Sequence, residues 1–128
     1  MPQSANARLL LFAFRRLGAH GLDDAAVAHA FVAAYGARFR RPLVLARAFV
    51  ADCAASATAQ IAIAPCFCPR VTAAEAMMLD AVAEAETRPE RAKLLLSDLL
   101  GVRRPDGVVA SAAALAGAFA DAGLALDR

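Results

Sequence analysis

The sequence predicts an all-α protein, a compact bundle of five to six short helices spanning residues 1–128 as a single domain. Three observations carry that expectation. More than a quarter of the chain is alanine, the residue with the best helix propensity and no side-chain entropy to lose. Apolar residues recur at spacings of three and four along most segments. Helix-starting and helix-stopping residues punctuate the chain at regular intervals.

Each element can be placed in turn. Ser4 opens a first helix through Leu17, with Leu9, Leu10, Phe12 and Phe14 on its apolar face and Gly18 or Gly21 as its stop. One of Asp23 and Asp24 caps the second helix, where a carboxylate also suits the positive helix end. Val27, Phe31 and Ala34 form its inner face, and Gly36 ends it. The basic turn Arg38-Phe39-Arg40-Arg41 leads to Pro42, which fits the first position of a helix because its missing N–H costs nothing there. Leu45, Phe49 and Cys53 then line the third helix, which ends between residues 54 and 59. Thr72-Ala73-Ala74-Glu75 is a capping box opening a fourth helix with Met78, Leu79 and Val82 inside. Thr87-Arg88-Pro89-Glu90 reads as a second box, starting a fifth helix through Leu94, Leu95, Leu99 and Leu100 to a Gly101 stop. After the turn 103–107, a last helix carries Val109, Leu115 and Phe119 and stops at Gly123.

One segment breaks the pattern. From about Gln60 to Arg70 two prolines stand four residues apart, and proline turns the residue before it away from helix. The segment is apolar, so it is expected as an ordered loop packed on the bundle. Long irregular connections in compact helical proteins tend to be functional.

Composition excludes several classes. Mean hydropathy is +0.51, but alanine supplies most of it. The longest uncharged stretches, 53–69 and 107–120, fall short of the roughly 20 residues that a spanning helix needs. The apolar run 9–14 is too short for an export signal and has its arginines on the wrong side. A cytoplasmic protein with three reduced cysteines and no membrane contact is the expectation. Residues 1–70 hold eight Arg against three acids, and residues 71–128 hold six basic residues against nine acids. The net charge of +2 is low for a nucleic-acid binder, so these charges are expected to be solvated or paired between the halves.

Two groups of candidate residues remain. Cys66-x-Cys68-Pro69, with Cys53 and with His29 or His20 as a fourth ligand, is a thiolate set suited to zinc or an iron–sulfur cluster. Its spacing differs from the usual zinc pair, and Cys53, a turn after Phe49, also reads as core, so a protein without a cofactor is the leading expectation. Redox sensing by the same thiols needs only an accessible thiolate, and Arg70 stands nearby. The second group, Arg38, Arg40, Arg41, Phe67 and Arg70, offers contacts to a partner. His20 beside glycines and the Asp23-Asp24 pair are accounted for by helix ends. No phosphate loop, nucleophile elbow or hydrolytic triad is present. The function expected is therefore a non-enzymatic interaction or regulatory protein, with a protein partner or a second copy of itself. Thiolate metal binding or redox sensing is the alternative.

Ile63 to Arg70 running into Thr72-Ala73-Ala74-Glu75-Ala76 resembles a small alphaproteobacterial family of unknown function. The resemblance extends to Arg8–Ala13, His20–Asp24, Arg41-Pro42-Leu43 and Leu99–Arg103. In that family the middle of the cysteine triplet can also be cysteine, whereas Phe67 stands here. The resemblance implies a bacterial, cytosolic origin and no particular activity.

Overall fold

The computed structural model describes Pro2 and residues 4–122 and contains six α-helices, with no strand among those residues. They are α1 (Ala5–His20), α2 (Ala25–Tyr35), α3 (Arg40–Ser56), α4 (Ala73–Glu84), α5 (Pro89–Leu100) and α6 (Asp106–Asp121). A 3-10 turn, Gly36–Arg38, joins α2 to α3. The expected stop at Gly123 lies outside the described residues. No described helix is long and apolar enough to cross a membrane.

Most boundaries follow from local chemistry. The Ser4 hydroxyl accepts from the Ala7 N–H, and Asp24 accepts from Val27, so each satisfies one of the donors that a helix start leaves bare. Gly21, Gly36 and Gly101 follow α1, α2 and α5 with positive φ, where a side chain would be strained. Thr72 and Glu75 form the expected capping box. The second expected box does not form. Arg88, not Thr87, is the residue before α5, and it makes no side-chain cap. Pro89 forces residue 88 out of helical geometry, so the helix starts at the proline and Thr87 sits one position too early.

α3 packs along α6, α4 packs along α5, and α1 touches α2, α3 and α4. A single buried cluster draws on all six helices, including Phe14 and Leu17 from α1, Phe31 from α2, Phe49 from α3, Leu79 from α4, Leu96 from α5 and Phe119 from α6. Phe14 and Phe49 meet at 5.7 Å between ring centres, while Phe31, Tyr35 and Phe119 form a three-ring group. Two inner faces differ from the reading by spacing. On α2 the face is Val27, Phe31 and Tyr35, while Ala34 is exposed. On α5, Leu96 and Leu100 are buried and Leu95 and Leu99 pack against the core, while Leu94 is 71% exposed on the side turned away from it.

The segment between α3 and α4 is the irregular connection expected from the prolines. Ile61, Ile63 and Val71 pack against the core, whereas Pro65, Cys66 and Phe67 are exposed.

Candidate functional site

Arg15 and Glu75 are both buried, at 2% and 0% exposure, and they organise this connection. Arg15 lies one turn after Leu11 on the buried face of α1. Its Nε donates to Glu75 Oε2 at 2.9 Å and its Nη2 to Oε1 at 3.0 Å, a two-pronged pair of the kind guanidinium geometry favours. The rest of the guanidinium serves the loop: Nη1 donates to the Cys68 carbonyl at 2.7 Å, and Nη2 to the Arg70 carbonyl at 2.6 Å. Glu75 receives two further bonds, from the Ala64 N–H at 3.0 Å and the Thr72 N–H at 2.9 Å. Each carboxylate oxygen thus accepts two hydrogen bonds, which fills its capacity.

The consequence for both groups is electrostatic. Burial alone would raise the Glu75 carboxyl, but bonds from Arg15, Thr72 and Ala64 hold it below the ordinary range. The hydrogen bond to Glu75 raises Arg15 further. Both therefore remain charged, and a buried charge pair is tolerable only when its hydrogen bonds are made.

Other anchors complete the loop. Thr58 donates from its N–H and its hydroxyl to the Leu100 carbonyl, both at 3.0 Å, fixing the loop start to the end of α5. The Thr72 hydroxyl donates to the Ala62 carbonyl at 2.8 Å. Between these anchors the Cys68 N–H donates to the Pro65 carbonyl at 3.0 Å, closing a four-residue turn. Phe67 stands on that turn at 88% exposure, the highest among the exposed large apolar side chains.

Beside the turn, Arg16 grips the helix-capping Asp24 through Nε at 3.0 Å and Nη2 at 2.8 Å. The Asp24 hydrogen bond is the main cause of the raised Arg16 pKa, with a smaller contribution from the nearby Cys66 sulfur. Arg16 likewise holds the Asp24 carboxyl below its ordinary value.

The cysteines occupy three environments: Cys53 is buried, Cys66 exposed and Cys68 half-buried, and all are free thiols. Burial pushes the Cys53 thiol up to about 12. His29, expected as a fourth ligand, is exposed on α2, and His20 is exposed at the end of α1. Among the described residues, no three His, Cys, Asp or Glu side chains are grouped so as to hold a metal ion. The structure therefore does not gather Cys53, Cys66, Cys68 and His29 into one ligand set.

The expected binding residues fall in two places. Phe67 and Arg70 flank the turn. Arg38, Arg40 and Arg41 line a separate cleft of about 330 Å³ against the end of α6. There Arg41 pairs with Asp121 and the Arg40 guanidinium lies 5.2 Å above the Phe39 ring. Arg15–Glu75 and Arg41–Asp121 are ion pairs between the basic and acidic halves. A second concavity, of about 510 Å³, lies between the loop start and α3, walled by Val50, Cys53, Ile61, Ile63 and Met78.

Glu75 was visible in the sequence as a capping residue, but its partner was not. The signal for Arg15 is its position: an arginine on the same helical face as Leu11 must be either a stem lying over apolar surface or half of a buried pair.

Residues 1–95 match the model of a family of unknown function, DUF6628, a stretch that includes the whole Arg15–Glu75 cluster and the turn it holds. No curated protein and no solved structure matches the chain.

Proposed function

We propose, for a chain that belongs to the DUF6628 family, a non-enzymatic role as a binding module that docks a protein partner through Phe67. The observation that carries this reading is the contrast between an 88% exposed aromatic and the rigidity of its mounting. A buried ion pair, two threonine anchors and a closed turn hold the backbone on both sides of it. Ordering a loop on binding costs affinity, and here that ordering is built into the free protein. Aromatic side chains are the residues that most often dominate binding energy at interfaces. The exposed Arg70 beside the turn favours a partner pocket that is apolar within and acidic at its rim.

The other charged groups in this region have structural work: Arg15 and Glu75 complete each other, and Arg16 and Asp24 secure the start of α2. That distribution supports binding in preference to catalysis.

The test is photo-cross-linking in living cells. A benzophenone side chain placed at position 67 is expected to give a discrete cross-linked protein species. The same group at exposed Val44 or Leu94 should not give it. Absence of a product from position 67, or the same products from all three sites, would overturn the reading. A product containing two copies of this chain would identify the partner as a second copy.

A further inference from the structure

We propose that Cys66 and Cys68 form a peroxide-reactive dithiol, which two-electron oxidation converts into a disulfide within the turn. Three observations converge on it. Cys66 is exposed and Cys68 half-buried, while the third cysteine is shut in the core. The Arg15 guanidinium donates to the Cys68 carbonyl, and Arg16 lies near the Cys66 sulfur, so both thiols sit on a backbone held in place from α1. Chain geometry supplies the third. Two residues can span at most about 7 Å even when extended, and the Pro65–Cys68 turn shortens that span. A disulfide needs Cα atoms within about 7 Å, and this spacing meets that requirement.

The chemistry balances. The Cys66 thiolate attacks one peroxide oxygen; an S–O bond forms, the O–O bond breaks, and hydroxide leaves, taking up the former thiol proton as water. Cys66 is then a sulfenic acid. The Cys68 sulfur attacks the Cys66 sulfur; an S–S bond forms, the S–O bond breaks, and the hydroxyl leaves with the Cys68 proton as a second water. Two thiols have lost two electrons and the peroxide has gained them.

Such a bond closes a loop too short to remove much unfolded-state entropy, so it adds little stability. It is an exposed bond of the kind that reductants reopen readily, as a switch and not a staple. It encloses Phe67 in a small ring. The oxidation chemistry does not depend on the docking proposal, and its readout requires no partner.

The experiment treats the purified, reduced full-length chain with hydrogen peroxide and follows intact mass and peptide maps. The wild type is expected to lose the mass of two hydrogen atoms per chain, with Cys66 joined to Cys68 and Cys53 still reduced. Cys66 should be consumed at least about tenfold faster than Cys53, whose buried thiol is seldom ionised. Cys68→Ser should stop at a Cys66 sulfenic acid that a cyclic diketone captures. Cys66 passing to sulfinic acid while Cys68 stays free, disulfides only between chains, or equal rates at Cys66 and Cys53 would each overturn the proposal.

Discussion

Replacing Glu75 with alanine should be among the most damaging single changes in this protein. The substitution leaves the Arg15 guanidinium, 2% exposed, with only the Cys68 and Arg70 carbonyls as partners. It also strips the Ala64 and Thr72 N–H groups of their acceptor. Removing one partner of a buried ion pair costs about 3–5 kcal/mol. Ala64 and Thr72 are half-buried, so water recovers part of their loss, and a total of about 4 kcal/mol is expected. At about 4 °C per kcal/mol for a chain of this length, the melting temperature should fall by roughly 15 °C. Glu75→Gln keeps one acceptor oxygen but turns an NH₂ toward donors, and should cost about 2 kcal/mol. Replacing both partners with apolar residues should not restore stability, because four backbone groups of the loop use this pair as their acceptor or donor. Urea unfolding followed by circular dichroism measures all three variants. A Glu75→Ala cost below about 1 kcal/mol would refute the reasoning, since that is what an exposed ion pair contributes.

Three further outcomes follow from the same contacts. Glu75 and Asp24 are held below their ordinary values of 4.5 and 3.8, so their stabilisation is complete above those values and is lost as pH falls below them; urea midpoints between pH 7 and pH 3 should drop more steeply for wild type than for Glu75→Gln, and parallel curves would contradict the assignment. Gly101→Ala should cost about 2 kcal/mol in thermal unfolding, because φ of +71° strains a side chain and its Cβ would run into the Thr58 hydroxyl that fixes the loop start. Phe67→Ala should change stability by less than about 0.5 kcal/mol, whereas Phe14→Ala in the core should cost about 3–5 kcal/mol, both measured by the same unfolding curves.

The helices were legible because their signals are local. Ser4, Asp24, Thr72 and Gly101 act on backbone groups within a turn of themselves, and the sequence places them beside the groups they serve. Thr87 misled because a proline two residues on outranks a capping box. The α5 face misled at Leu94 because five leucines surround that helix, and only the packing of the bundle decides which are inside. The irregular loop was legible from its prolines and its extent. What held it was not, because Arg15 and Glu75 are 60 residues apart and no periodicity links them. Cys66 and Cys68 stood out in the sequence through their spacing. Their separation from Cys53 is a matter of tertiary structure, with Cys53 facing the core as the turn after Phe49 suggested.

The central claim is that the turn carrying Phe67 is held rigid before any partner arrives. Amide hydrogen exchange by NMR tests it at three N–H groups, those of Ala64, Cys68 and Thr72, whose acceptors are Glu75, the Pro65 carbonyl and Glu75. Protection of at least about a hundredfold at all three, an opening cost of about 2.7 kcal/mol or more, is the predicted result. Exchange at the rates of an unstructured peptide would contradict the account.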